Sequence, residues 1–170
     1  NQNPNNNSNS NVINNDTREM EGIIEEEEYD NNENKAELNN NLGLSLRFLA
    51  NGNLAAISYK NLLVNLLEGN FIDASVANIY LRVYNGSEIS SAPLIGVLSN
   101  SKFDANSEQV SWRGRALDLD YIVSCSLAKD INLWLWQVTI VNHSAREISY
   151  DLIYAQDVGI ADVGAVRTNE

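Results

Sequence analysis

The sequence predicts an all-β domain, an antiparallel β-sandwich of roughly eight to ten strands, preceded by an acidic Asn-rich arm. Three observations carry this prediction. From Leu42 onward the apolar segments are short and separated by turn residues. Several of them alternate with the two-residue period of a half-buried strand. No segment holds a 3.6-residue apolar stripe over three turns, and Leu62–Leu67 is the one run with a helical alternative.

The arm, residues 1–41, comes first in the chain. Fifteen of its 41 residues are Asn, and ten acidic residues face two basic ones, Arg18 and Lys35. Its net charge is therefore −8, which leaves −4 (13 acidic, 9 basic) of the total −12 for residues 42–170. Runs such as Asn5-Asn6-Asn7 and Glu25–Glu28 offer too little apolar surface to offset the entropy of ordering, so the arm is expected to be disordered. A short strand or turn around Met20–Ile24 docking on the domain is the alternative. The acidic run reads as a solvated, solubilising arm, with a cation-binding or partner-binding tail as the sharper alternative. A first residue of Asn, not Met, is consistent with a piece of something longer.

The domain proper, 42–170, then opens with Leu42, Leu44, Leu46 and Phe48 alternating with Gly43, Ser45 and Arg47. Asn51-Gly52-Asn53 supplies residues that tolerate positive φ, and Leu54–Tyr59 returns as the second arm of a hairpin. Asn61–Leu67 follows, and Glu68-Gly69-Asn70 turns the chain. Val76–Tyr84 is β-branched and aromatic and closes on Asn85-Gly86. Further strands are expected over Leu94–Ser99, Gln109–Arg113, Leu119–Ala128, Ile131–Asn142 and Glu147–Tyr154. In Ile131–Asn142, Trp134, Trp136, Val138 and Ile140 share one face, with Leu133, Leu135 and Val141 on the other. Such a load on both faces predicts a central strand, or one covered by a neighbouring domain. The two tryptophans read as inter-sheet core, with a sugar-stacking platform as the alternative.

Composition narrows the function. A net charge of −12 argues against a phosphate-tracking nucleic-acid binder and against a polybasic membrane anchor. One cysteine excludes an internal disulfide framework, and no apolar run approaches the ~20 residues of a membrane span. Asn1–Asn15 has neither the basic start nor the apolar stretch of a secretory signal, so a soluble, cytoplasmic protein is expected. Among chemical groups, the single His143 reads as a surface turn residue, because one histidine builds no metal site by itself. Cys125 reads as a small buried residue. Asp118 and Asp120, two apart at a strand start, would project to one side at a spacing compatible with glycosidase-type acid–base work; solvated strand edge is the plainer reading. Tyr154–Glu170 is less ordinary, for it follows the last strand without alternation and sets Gly159 and Gly164 among polar residues.

That run, Tyr154–Glu170, resembles the segment closing the N-terminal sandwich of cellobiose-phosphorylase-like proteins, and within them that of β-1,2-oligoglucan phosphorylases. Asn51-Gly52-Asn53-Leu54-Ala55-Ala56-Ile57, Leu81-Arg82-Val83, Pro93-Leu94-Ile95-Gly96, Trp112-Arg113-Gly114 and the Trp134-Leu135-Trp136 strand agree in order. The specific parts are Gln156-Asp157-Val158-Gly159 and Arg167-Thr168-Asn169-Glu170. The resemblance covers residues 42–170 and leaves the arm unexplained. It implies a supersandwich-like N-terminal domain, followed in the full-length protein by a helical linker and a toroid of paired helices holding the general acid. Such enzymes split a β-glucosidic bond with inorganic phosphate, invert the anomeric carbon and release α-glucose 1-phosphate. Phosphate is co-substrate, and no metal or organic cofactor is implied. One carboxylic acid then suffices, and it is expected outside these residues, so no catalytic residue is assigned here.

Three roles follow as expectations. The chain is the non-catalytic sandwich of a glycoside phosphorylase, with Gln156, Asp157, Arg167, Asn169 and Glu170 forming a rim towards the catalytic helical domain or the substrate. Those five residues alternatively only hold their loop through hydrogen bonds. The second role is an independent carbohydrate-binding module with Trp112, Tyr80, Tyr84 or Tyr121 as sugar platforms. The third is a non-sugar interaction domain. The first role further implies an exposed apolar patch, self-association and a homodimer.

Overall fold

A computed structural model describes residues 34–73 and 75–162. Among them there is no helix, and twelve strands form three antiparallel sheets, as the alternating sequence requires. The first sheet holds β1 (Asn34–Asn39), β2 (Leu44–Leu49), β3 (Leu54–Tyr59), β4 (Leu62–Leu63) and β12 (Ala161–Asp162) in that order. The second runs β10 (Trp134–Val141), β9 (Leu119–Leu127), β8 (Gln109–Ala116), β7 (Ser101–Ala105). The third is β11 (Ser149–Gln156), β5 (Ala77–Asn85), β6 (Glu88–Pro93).

One core joins all three sheets. Leu44, Leu46 and Phe48 of the first, Ile79 and Leu81 of the third, and Val110, Trp112, Val123 and Cys125 of the second are buried together. Period two puts alternate residues of each strand on this side, and burying each large apolar side chain contributes about 1.5–3 kcal/mol. Aromatic edges knit the layers. Phe48 meets Trp112 edge-on at 5.7 Å between centroids, and Phe103 sits 5.2 Å from the same indole. Two buried asparagines tie loops to strands. Asn53 accepts from the Val97 amide at 2.8 Å and donates to the Asn70 carbonyl at 2.6 Å, while Asn65 accepts from the Ile57 amide at 2.8 Å.

Several elements depart from expectation. Sheet pairing begins at Asn34, within the stretch read as arm, because Ala36 and Leu38 pair with Phe48 and Leu46 and Leu38 is buried. Residues 1–33, including Met20–Ile24 and Glu25–Glu28, lie outside the described residues. Leu62–Leu67 is no helix; only Leu62–Leu63 extends as a strand before the chain bends. Leu94–Ser99 is a loop whose Leu94 and Ile95 plug the core, apolar because it is buried and not because it is pleated. β6 and β7 carry few large apolar residues, which hid them. β10 is an edge strand, not a central one. Its inward Trp134, Trp136, Val138 and Ile140 are half-buried and its outward Leu135 is 57% exposed.

Candidate functional site

The outward face of the third sheet gathers the most organised polar chemistry among the described residues. On β5, Asn78, Tyr80, Arg82 and Tyr84 alternate with the buried Ala77, Ile79 and Leu81, so they point away from the core. Register sets Asp151 of β11 directly opposite Arg82, and Ser149 opposite Tyr84. Arg82 Nε donates to Asp151 Oδ1 at 2.9 Å and Nη2 donates to Oδ2 at 2.5 Å, a bidentate pair. The Tyr84 hydroxyl donates to the same Oδ2 at 2.8 Å, and the Arg82 guanidinium lies 5.7 Å from the Tyr84 ring centroid. These bonds, that from Arg82 first, hold the Asp151 carboxyl down to about 2 and raise the guanidinium and the Tyr84 phenol above their ordinary values. Tyr80 stands half-buried on the same face between Pro93 and Ile153. The result is a flat strip with two rings and a fixed carboxylate, the chemistry that stacks on a sugar face and accepts from its hydroxyls. Sequence reasoning named the two tyrosines and missed Arg82 and Asp151. Their pairing depends on a register between strands far apart in the chain.

The other two aromatic candidates are elsewhere. Trp112 is fully buried, with Nε1 donating to the Gly52 carbonyl at 3.1 Å, and Tyr121 is 2% exposed. Neither ring can lie against a sugar, because the inward side of β8 and β9 is the core itself. Trp136 likewise packs 5.7 Å from Trp112 and 6.1 Å from Tyr154, which fits the core reading of that strand.

Of the five polar rim residues, Arg167, Asn169 and Glu170 lie outside the described residues. Gln156 accepts a hydrogen bond from the Tyr154 hydroxyl. Asp157 Oδ2 accepts from the amides of Leu66 at 2.8 Å and Leu67 at 2.7 Å, tying the segment after β11 to the bend after β4. Gly159 lies flat against the Leu66 side chain, where a Cβ would collide with Leu66 Cγ, and its amide donates to the Val64 carbonyl at 2.8 Å.

The carboxylates at the β8–β9 turn do not share one strand face. Asp118 occupies the turn itself with φ of 66° and pairs with Arg146 at 2.8 Å. Asp120, in β9, faces Arg115 at 3.8 Å and His143 Nε2 at 3.1 Å. Each acid thus has its own cation. Among the described residues no group of three or more His, Cys, Asp or Glu could hold a metal ion, and no helix is long and apolar enough to cross a membrane.

Fold and surface together define an antiparallel β-sandwich domain with a tyrosine–arginine–aspartate strip and exposed apolar edges. Comparison with known proteins places it further. The SOGP N-terminal domain family matches residues 47–170. Over 127 residues, 75% of this chain, the sequence is 31% identical to the 1,2-beta-oligoglucan phosphorylase of Listeria innocua serovar 6a, and the match spans 11% of that enzyme's length. The chain belongs to the SOGP N-terminal domain family, in agreement with the resemblance carried by Tyr154–Glu170 and the preceding motifs.

Proposed function

We propose that this chain is the N-terminal, non-catalytic β-sandwich of an inverting glycoside phosphorylase that acts on β-glucans with inorganic phosphate as co-substrate and no other cofactor. The observation that carries the reading is the similarity to a 1,2-beta-oligoglucan phosphorylase over three quarters of this chain. Ion pairing of Asp118 and Asp120 supports a non-catalytic role, since neither is an unpaired acid ready to protonate a leaving oxygen. The partner is the catalytic helical domain, of the same chain or of a second copy in a homodimer. Leu135 of β10, 57% exposed, and Tyr154 of β11, 46% exposed, belong to the apolar edge offered to it. A cytoplasmic location fits the acidic composition and the free, buried Cys125.

The test is release of α-glucose 1-phosphate from β-1,2-glucan oligomers by the full-length protein, with and without phosphate. Phosphate-dependent release by the full-length protein and none by the 170-residue chain is the expected pair of results. Release by the chain alone would end the non-catalytic assignment, and hydrolysis without phosphate would end the phosphorylase assignment.

A second reading, a carbohydrate-binding surface, is favoured specifically by the strip of Tyr80, Tyr84, Arg82 and Asp151. Calorimetric titration of the chain with the same oligomers, set against Tyr80→Ala, separates it from a purely structural role.

A further inference from the structure

The outer face of the four-stranded sheet gathers cations that the acidic composition does not foretell. With Trp112, Tyr121 and Val123 turned into the core, Arg113, Arg115, Asp120 and Ile122 face outward. Together with Val141 and His143 they line a cleft of about 630 Å³. Register sets Lys102 of β7 directly opposite Arg113, two like charges on adjacent strands, an arrangement that costs stability. Both are exposed, and neither side chain has an ion-pair or hydrogen-bond partner among the described residues. Asp104, two residues beyond Lys102, is the acid on that side. On the other side Asp120 lies 3.8 Å from Arg115 and 3.1 Å from His143 Nε2. Ile122 and Val141, 41% and 39% exposed, give the cleft an apolar floor. Unneutralised guanidinium and ammonium groups beside such a floor suit an anion that also has an apolar face.

The rim of the cleft is fixed on two sides. Leu117 and Asp118 form the two-residue turn between β8 and β9 with φ of 50° and 66°, a left-handed conformation uncommon for residues other than glycine. Leu117 holds it by packing on the core, and Asp118 by its pair with Arg146 at 2.8 Å. Arg115 and Asp120 face each other one step back along that hairpin. Asn142 donates to the Arg146 carbonyl at 2.8 Å and accepts from the Ser144 amide at 2.9 Å, so His143 stands on a loop closed upon itself. With Nε2 donating to Asp120, the neutral imidazole keeps Nδ1 as an acceptor for a hydroxyl. The arginines of β8 and Val141 of β10 are two strand spacings apart, about 10 Å, which is the length of a hexose monophosphate.

We propose that this cleft binds a sugar phosphate. The Arg113 and Arg115 guanidiniums take the phosphate oxygens with Lys102 beside them, Ile122 and Val141 lie under the C–H face of the ring, and His143 Nδ1 accepts from a ring hydroxyl. The chemistry of the cleft selects the class; the choice of α-glucose 1-phosphate as its member rests on the phosphorylase reading above. Exposed charges bind weakly, so the site fills in the millimolar range and empties as salt screens it. The sandwich would thus hold a ligand of its own, on a sheet face separate from the Tyr80–Tyr84 strip.

The experiment titrates the 170-residue chain with α-glucose 1-phosphate, inorganic phosphate and glucose in turn, at a fixed ionic strength of about 0.15 M, and follows amide shifts. Saturable shifts are expected at Arg113, Arg115, Ile122, Val141 and His143. The sugar phosphate should bind about three- to tenfold tighter than inorganic phosphate, a gain supplied by the apolar floor, and glucose should move nothing. Arg113→Gln with Arg115→Gln should weaken both anions about tenfold. Ile122→Ser should bring the ratio of the two affinities towards one while leaving inorganic phosphate unchanged. Dispersed amide spectra certify the fold of each variant, and the titration of the unaltered chain decides the matter if one of them fails to fold. Equal affinity for the two anions in the unaltered chain overturns the proposal and leaves an adventitious ion only. Shifts that never saturate, or that centre on the Tyr80–Asp151 strip, overturn it as well. Turnover by the full-length protein is read separately. Absence of glucose 1-phosphate release ends the phosphorylase reading without altering these shifts, and absence of the shifts ends the site without altering turnover.

Discussion

Asp157 and Leu66 stand 91 residues apart in the chain, yet Oδ2 of the one accepts the backbone amide of the other at 2.8 Å. The same oxygen takes the Leu67 amide at 2.7 Å, so one carboxylate closes two otherwise unpaired donors of the bend after β4. Asp157, within the run Gln156–Gly159 that helped carry the resemblance, thus has a local structural job. Asp157→Ala is expected to cost about 1–2 kcal/mol, since the freed amides are exposed enough to bond water; Asp157→Asn keeps an acceptor and should cost less than half of that. Urea unfolding gives the first number, and faster amide exchange confined to Leu66 and Leu67 locates it. Unchanged exchange at both amides in the Ala variant would refute the clamp.

Gly52 makes a second prediction. Its φ of 80° is in the left-handed region, and an added Cβ would lie 2.6 Å from Trp112 Nε1 and 3.1 Å from Phe103 Cγ. Trp112 is fully buried and cannot step aside. Gly52→Ala combines a strained backbone with overpacking, so a loss of about 2–4 kcal/mol is expected in thermal or urea unfolding. A loss below 1 kcal/mol would mean that the turn can move away from the indole.

These two sites also define what the sequence could and could not reveal. Asn51-Gly52-Asn53 was legible as a turn because positive φ is a local demand, which also marked β3 as its return arm, and β2, β5, β9 and β10 were legible because one buried face imposes alternation. The edge strands β1 and β6 were not, for an exposed strand needs no apolar rhythm. Leu94 and Ile95 misled for the converse reason, since a buried loop is apolar too. The tyrosines of the candidate strip were visible as residue types, but Asp151 acquires its partner only through the pairing of β11 with β5. No local pattern encodes that register.

Cys125 is fully buried on the inward side of β9, and burial pushes its thiol up to about 12. At pH 8 hardly any thiolate exists, and the reagent cannot reach it. Reaction with a disulfide reagent should therefore be slower than unfolding allows and become immediate in denaturant. Rapid modification of the native chain would show that the β8–β9–β10 side of the core opens.

Exposed apolar side chains on β10 and β11 lead to a prediction about association. Leu135 of β10 and Leu152 and Tyr154 of β11 are 57%, 40% and 46% exposed on two edge strands, and Leu133, just before β10, is 48% exposed. Unpaired strand edges with apolar side chains invite pairing, and lysine on an edge suppresses it. Sedimentation of the chain should show concentration-dependent association that Leu135→Lys with Leu152→Lys weakens. A monomer at all concentrations would remove these edges as the proposed contact with a further domain or a second copy.

The Arg82–Asp151–Tyr84 cluster fixes a pH window. Arg82 and Tyr84 hold the Asp151 carboxyl down to about 2, below the value near 4 of an unfolded chain. The folded state therefore gains from the charged pair at every pH above about 4, and loses that gain as pH falls from about 4 through 2. Tyr84 runs the other way at the alkaline end. Its phenol is raised above 10, so its contribution is complete below the unfolded value and disappears as pH climbs through the folded one. Both groups are partly exposed, with 41% of the Asp151 side chain open to water, so the effect is modest and falls with salt. Asp151→Asn should flatten the part of the acid limb of stability that lies between about pH 4 and 2, and Tyr84→Phe should flatten the alkaline limb while leaving the Arg82–Asp151 bonds in place. A carboxyl titration of Asp151 by NMR with an ordinary midpoint near 4 would show that the bidentate pair does not persist in solution, and with it the fixed carboxylate of the candidate strip would be lost.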